Sequence, residues 1–234
     1  MTANPPEPAA RPDPPARTRL PGPARPDRLG HPAGGGLPPD GTGLPMSRLP
    51  RLRPDELDAE QRALYDAIAG GPRAQRGSAF PLVAEDGGLN GPFNAMLLQP
   101  GLGQALQALG SAIRYQTSLP VRDREIATLT VARVWDSAFE RYAHEAVARA
   151  AGMTEAEITA LRTGDPDAFG DPRERLILTT TTALASDNDL AEDGYDAAVD
   201  GLGLPALFEL TTLVGYYATM ARQLRVFRVS VPRP

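Results

Sequence analysis

Residues 120–135, PVRDREIATLTVARVW, constrain the fold most strongly, because they combine helix signals with a nearly continuous apolar surface. Pro120 suits the start of a helix, where the backbone N–H that proline lacks would have no partner. After its charged first turn the segment is apolar on most faces, which is typical of a buried helix. The β-branched stretch TLTV fits a strand as well, but its flanks are of the helical type. We therefore predict a central helix that other helices surround.

The remainder of residues 46–234 supplies segments that can surround such a helix. Apart from the segment that Ser137 opens, the segments with helical periodicity or helix caps are DELDAEQRALYDAIAG, FNAMLLQ, GLGQALQALGSAIRYQ, TEAEITALR, PRERLILTTTTALASD, EDGYDAAVDGLG and PALFELTTLVGYYATMARQLRVF. Glycine and proline separate these segments and mark the turns between them. We predict one all-α domain over residues 46–234, which is close to the usual size of a domain.

Residues 1–45 have a different composition, with 13 Pro and 7 Gly among 45 residues and no aromatic side chain. Such a segment cannot bury enough apolar surface to offset the chain entropy lost on folding. We predict a disordered, Pro/Gly-rich N-terminal tail. Two interpretations of Met46 stay open: it lies at a domain boundary, or it is the true start of the protein.

The composition excludes several classes of function. The chain has no cysteine, which rules out disulfides, a thiol nucleophile and cysteine-bound metals. It has no lysine either, which rules out Schiff-base chemistry on a lysine. The net charge of −5 gives no basic field for nucleic acid, and no apolar run reaches the roughly 18 residues of a membrane span. We expect a cytoplasmic protein that uses no cofactor and no metal and contacts neither nucleic acid nor membrane.

His144 is the only histidine of the predicted domain, since His31 lies in the tail. On a helical wheel of about 100° per residue, Glu140 and His144 lie together at the edge of the apolar stripe. One interpretation is structural: Ser137 and Glu140 form a capping box, and His144 is a polar residue at the core boundary. The other is catalytic, because a histidine beside a carboxylate suits general acid–base chemistry. Pattern alone favours the structural interpretation.

Glu125 is a third candidate, near the start of the central helix. The helix dipole stabilises a carboxylate in this position, which is a sufficient structural reason for it. Because the helix is central, Glu125 could also project into a cavity between helices. Arg122 and Arg124 flank it, and we expect solvated side chains there, with binding of a substrate carboxylate as the alternative.

Two segments together resemble the carboxymuconolactone decarboxylase family, which shares its all-α fold with the alkylhydroperoxidase-D-like (AhpD-like) proteins. They are GPFNAMLLQPGLGQALQALG and RDREIATLTVARVWDSAFERYAHEAVARAAGMTEAEI. The resemblance extends from about residue 51 to the C-terminus and includes FELTTLVGYYATMARQL. It implies an AhpD-like helical domain that assembles as a homo-oligomer, typically a trimer or a hexamer.

The thiol peroxidases of that family carry the pattern E-x11-C-x2-C-x3-H. The corresponding positions here are Glu125, Ser137, Glu140 and His144, so both redox cysteines are replaced. Disulfide-based reduction of peroxide is therefore excluded. The resemblance to the decarboxylase branch, with its E-x3-H pattern and no cofactor, implies that Glu125, Glu140 and His144 form an acid–base set. That branch usually has Trp after the glutamate, and this chain has Arg141.

With the resemblance, the catalytic interpretation of His144 becomes the favoured one. The first hypothesis is a cofactor-independent lyase or isomerase of a small carbonyl, lactone or carboxylate substrate. His144 moves a proton, Glu140 orients the imidazole and Glu125 is the second acid/base. Further candidates for substrate binding, for which simple packing is an equal alternative, are Ser137, Phe93, Met96 and Tyr142.

Two other hypotheses stay open. Arg141 in place of Trp motivates a biosynthetic enzyme on the same fold that performs a cyclisation or a dehydration. The loss of both cysteine positions motivates a non-catalytic binding or assembly protein. A fold of this type by itself does not choose among the three.

Overall fold

A computed structural model describes residues 47–71, residue 74 and residues 80–231. The predicted tail, residues 1–45, lies outside the described residues, as does Met46. The domain boundary at residue 46 and the disorder of the tail therefore stay predictions.

The described residues form an all-α structure, which confirms the predicted fold class. The α-helices are α1 (Ala59–Ala69), α2 (Pro92–Met96), α3 (Pro100–Tyr115), α4 (Val121–Val134), α5 (Ala138–Ala150), α6 (Glu155–Thr163), α7 (Pro172–Asp187), α8 (Glu192–Leu202) and α9 (Leu204–Val226). Short 3₁₀ helices cover Pro54–Glu56 and Pro166–Ala168. The only β-type pairing among the described residues is an isolated bridge between Val83 and Leu89.

Helix α4 is the centre of the fold, as its apolar composition predicts. It packs against α5, α6, α7 and α9, so it has neighbours on most of its faces. Ile126, Ala127, Thr130 and Val131 are fully buried. The β-branched runs TLTV and LILTTTT lie in α4 and α7, because burial among helices outweighs their preference for strands.

A tight turn joins α4 to α5 and folds the two helices against each other. Asp136 adopts a left-handed backbone conformation with φ of 48°. The backbone N–H of Ser137 then donates to the carbonyl of Ala132 over 2.8 Å. Because the chain reverses here, residues near the start of α4 lie beside residues of the second half of α5.

Close helix contacts require glycine at particular positions. In α3, a Cβ added to Gly103 would lie 2.7 Å from Cδ2 of Leu64 and would overlap the carbonyl oxygen of Met96. Further along α3, a Cβ at Gly110 would overlap the hydroxyl of Tyr216. Gly215, inside α9, has no atom within 4 Å of an added Cβ.

We expect the same substitution to have opposite effects at Gly103 and Gly215. Gly215→Ala should raise the free energy of unfolding by about 0.5–1 kcal/mol, because alanine restricts the unfolded chain and favours the helix. Gly103→Ala should lower it by about 1–3 kcal/mol, because the added methyl group meets backbone that cannot move aside. Urea unfolding of both variants measures the difference. A stabilised Gly103→Ala variant would contradict the close contact.

None of the described helices is by itself long and apolar enough to cross a membrane. Helices α8 and α9 together have enough length and apolar composition, but the chain bends by 115° between them. Phe208 and Leu204, at the start of α9, are the large apolar side chains that α9 leaves most exposed. The predicted homo-oligomer and the predicted cytoplasmic location stay predictions.

Candidate functional site

The antiparallel packing of α4 and α5 brings two of the predicted residues into direct contact. Nδ1 of His144 lies 2.7 Å from Oε2 of Glu125, which is a hydrogen bond between buried side chains. The two residues are 19 positions apart, so the contact depends on the turn between the helices. Glu125 projects from the central helix toward His144 of α5, and not into a cavity between helices, which the sequence had allowed.

Glu140 approaches the other nitrogen of the same ring. Its Oε2 lies 3.4 Å from Nε2 of His144, one helical turn further along α5. Glu125, Glu140 and His144 are each no more than 6 % exposed. The imidazole is therefore held between two buried carboxylates, where charge–charge interactions are stronger than at the surface.

The structural interpretation of Glu140 as part of a capping box is wrong. Ser137 is the N-cap residue of α5, but its side chain makes no capping hydrogen bond. Its backbone N–H donates to Ala132, so it is not available to Glu140. The Oγ of Ser137 is buried and has no hydrogen-bond partner among the described residues. Glu140 faces His144 because the turn with Ala132 already satisfies the start of the helix.

A cavity of about 510 Å³, including its solvent-open mouth, lies against this histidine. The polar side chains on its wall are Arg114, Glu140, His144, Tyr216 and Tyr217. The apolar residues on its wall are Phe80, Pro92, Phe93, Phe139, Ala143, Val147 and Met220. The wall combines apolar side chains with several polar groups that converge on one space, as sites for small molecules do. Glu125 does not line the cavity and lies behind the imidazole.

The position of Phe139 on the wall depends on a glycine in the loop before α2. Gly91 has φ of 63°, and an added Cβ would lie 2.8 Å from Cε1 of Phe139. Only glycine tolerates both the backbone conformation and the close contact. The ring of Phe139 in turn packs edge-on against Phe80, with centroids 5.1 Å apart.

Tyr217 brings a phenol to the same cavity from α9. Its ring packs edge-on against the imidazole of His144, with centroids 5.1 Å apart. Burial raises the pKa of the Tyr217 phenol far above its usual value, and the charges of Glu125 and Glu140 raise it further. The group is therefore a neutral O–H donor, and it donates to no other residue among those that the structure describes.

The other predicted binding residues have different surroundings. Phe93 lines the cavity, whereas Met96 is buried in the core beside it. Tyr142 is 39 % exposed and packs its ring against Phe139 from outside the cavity. Ser137 lines a separate depression near the end of α9. Phe93 is therefore the one further candidate that the fold brings to the cavity.

The arginines near the candidate residues in sequence have structural partners. Arg122 is partly buried and forms ion pairs with Glu157 and Glu174, so it is not the solvated side chain that we expected. Arg124 donates to the carbonyl of Leu119, and Arg141 pairs with Asp136. None of the three lies on the cavity wall.

Arg114 and Tyr217 line the cavity but were not predicted from the sequence. Their helices were predicted, but nothing in their local pattern shows that α3 and α9 meet at the same cavity. The available signal was the dipeptide Tyr216–Tyr217 in an otherwise apolar segment, because a buried tyrosine hydroxyl usually needs a polar partner. Among the described residues, no group of three or more His, Asp or Glu side chains is arranged to hold a metal ion.

Solved structures with a similar fold include three for which the matched region covers at least 90% of that protein's own chain. A peroxidase-related protein with the alkylhydroperoxidase AhpD core, from Ralstonia eutropha JMP134, has a TM-score of 0.64 at 15% identity, covering 80% of this chain and 93% of the other. A protein of unknown function from Agrobacterium tumefaciens, linked by name to AhpD antioxidant defence, has a TM-score of 0.54 at 18% identity, covering 62% and 100%. The debrominase Bmp8, in complex with 2,3,4-tribromopyrrole, has a TM-score of 0.61 at 12% identity, covering 78% and 90%. At these identities the likeness establishes the fold alone.

No curated protein is significantly similar to the chain in sequence. The sequence model of the Carboxymuconolactone decarboxylase family matches residues 100–189, which include all of α4 and α5. The resemblance from the residues, the family match and the shared AhpD-like fold agree. The segment that holds Glu125, Glu140 and His144 therefore matches the carboxymuconolactone decarboxylase family, and the chain has the AhpD-like fold.

Proposed function

We propose that the protein is a cofactor-independent acid–base enzyme, a lyase or isomerase of a small carbonyl, lactone or carboxylate substrate. The observation that carries the proposal is the placement of His144 between two buried carboxylates on the wall of a cavity. The match of residues 100–189 to the family model supports an enzyme. The missing cysteines exclude the thiol chemistry of the peroxidases in the same fold class.

The two ring nitrogens of His144 have different tasks in this proposal. A carboxylate accepts hydrogen bonds, so the contact with Glu125 favours the tautomer with the proton on Nδ1. Nε2 then carries the lone pair on the side of the cavity. It removes a proton from a substrate carbon next to a carbonyl group and returns it at the same or another carbon.

The sequence suggested that Glu140 orients the imidazole and that Glu125 is the second acid/base. The geometry favours the opposite assignment. Glu125 makes the shorter contact and lies behind the ring, so it is the better candidate to orient His144. Glu140 lines the cavity beside Nε2, so it is the better candidate for the second acid/base. We propose this exchange of roles because a second acid/base must be able to reach the substrate.

Tyr217 is the proposed donor to the carbonyl oxygen of the substrate. When the proton leaves carbon, negative charge develops on this oxygen, and a neutral, prepositioned O–H donor stabilises that charge. We expect Tyr217→Phe to lower kcat by about 10–100-fold with little change in stability. Tyr195→Phe, at an exposed position of α8, should leave kcat unchanged. Equal rates for both variants would exclude a role for the Tyr217 hydroxyl.

A search for exchange of carbon-bound hydrogen tests the proposed function. The full chain is incubated in D₂O with a panel of 2-oxo acids, 3-oxo acids and unsaturated lactones, and ¹H NMR follows deuterium incorporation and product formation. Exchange or turnover of a panel member that depends on the protein supports acid–base chemistry. A cyclised or dehydrated product would favour the biosynthetic alternative. Binding of panel members without any exchange would favour the non-catalytic alternative.

A further inference from the structure

Arg114, the penultimate residue of α3, is an arginine on the cavity wall without a carboxylate partner among the residues that the structure describes. It is partly buried, yet it forms no ion pair or hydrogen bond within that part of the chain. Two other partly buried arginines have carboxylate partners: Arg122 pairs with Glu157 and Glu174, and Arg173 pairs with Asp123. Arg133 has none, but it donates to the hydroxyl of Thr182. A guanidinium that faces a cavity and has no anion beside it can form new charge-assisted hydrogen bonds there, so its place on the cavity wall points to a ligand.

The surroundings of Arg114 show where a bound anion would lie. Arg114, Tyr217 and His144 line the same cavity. The positive charge of Arg114 acts on Tyr217 and opposes the effect of burial on the pKa of that phenol. Arg114 and the Tyr217 hydroxyl therefore act on the same part of the cavity, beside the imidazole of His144.

We propose that Arg114 binds a carboxylate of the substrate and thereby selects small monocarboxylates as substrates of the site. This inference rests on the proposed acid–base function. A guanidinium offers parallel N–H donors that match the two oxygens of a carboxylate. With the carboxylate on Arg114, the hydrocarbon part of the substrate lies against the apolar wall, where Phe93 and Met220 are available.

The charge in and behind the cavity favours a monoanion over a dianion. Glu140 lies on the wall, Glu125 lies behind His144, and Arg114 is the only arginine among the described wall residues. One guanidinium matches the charge of a single carboxylate, whereas a phosphoryl dianion would bring a second negative charge close to Glu140. A carboxylate is therefore the expected anion.

Equilibrium binding of matched probes tests the inference without any turnover. Isothermal titration calorimetry of the full chain compares benzoate with its neutral isostere benzamide and with phenylphosphonate. We expect benzoate to bind at least about 10-fold more tightly than benzamide, which corresponds to about 1.4 kcal/mol. Arg114→Gln should remove this preference by weakening benzoate alone, and Arg114→Lys should restore part of it. Arg222→Gln, which removes an exposed arginine stacked on Trp135, is the matched control.

Several outcomes would overturn the inference. They are equal binding of benzoate and benzamide, no saturable binding of benzoate, or a preference that Arg114→Gln leaves intact. Tighter binding of phenylphosphonate than of benzoate would overturn the assignment to a carboxylate. A failure here leaves the acid–base function standing, because the D₂O experiment includes neutral lactones. Conversely, the protein could prefer benzoate to benzamide and still exchange no carbon-bound hydrogen. That result would retain Arg114 as a carboxylate-binding residue and contradict the proposed reaction.

Discussion

Replacing His144 with Gln is expected to lower kcat/KM by about 10²–10⁴-fold for any substrate found in the D₂O experiment. The variant loses the general base on the cavity side of the imidazole while it keeps a side chain of similar polarity. The contact of the side chain with Glu125 can be replaced by an amide hydrogen bond, so the fold should persist. Rates of deuterium incorporation measure the effect, and circular dichroism checks the fold.

The chain offers a matched control for this substitution. His31 is the only other histidine and lies in the predicted tail. His31→Gln should leave the rate unchanged within experimental error. A His144→Gln variant that is folded and as fast as the wild type would exclude His144 as the general base, and the cavity would then be a binding site.

Glu125→Gln should give the second-largest loss, about 10²-fold in kcat. Glutamine can offer an N–H toward Nδ1 where the carboxylate could only accept, so the preferred tautomer of His144 changes and Nε2 loses its lone pair. KM should change little, because Glu125 does not line the cavity. A loss confined to kcat separates an orienting residue from one that binds the substrate.

NMR of the imidazole provides a readout that a purely structural role would not alter. In the His31→Gln background, the remaining histidine signals belong to His144. In the His31→Gln protein we expect to observe the resonance of the proton on Nδ1. We expect the additional substitution Glu125→Gln to remove this resonance or to shift it strongly. Glu192→Gln, at an exposed position in the first turn of α8, should change neither the resonance nor kcat. An unchanged Nδ1 resonance together with unchanged kcat in Glu125→Gln would contradict the orienting role.

The helices of this protein could be predicted from the sequence because their signals are local. A proline lies in the first two positions of α3, α7 and α9 and at the N-cap of α4. Thr154 and Glu157 form the predicted capping box of α6. The apolar surface of residues 126–132 predicted a buried helix, and α4 is central. These features depend on neighbours within a few positions, so the pattern of residues is sufficient.

The capping box of Ser137 and Glu140 shows where a local pattern fails. The sequence contains the required spacing, but the turn at Asp136 gives the N–H of Ser137 another acceptor, the carbonyl of Ala132. The carboxylate of Glu140 is thereby directed to His144. A backbone conformation with positive φ at a residue other than glycine is rarely evident from sequence, so this outcome was not predictable.

The sequence by itself determined the all-α class, the absence of thiol chemistry and the three ionisable residues of the candidate site. Only the tertiary structure decided which carboxylate contacts which nitrogen of His144, and that Arg114 and Tyr217 share the cavity with it. The physical reason is distance along the chain. Arg114, His144 and Tyr217 belong to three helices, and packing around α4, not any local preference, sets where those helices meet.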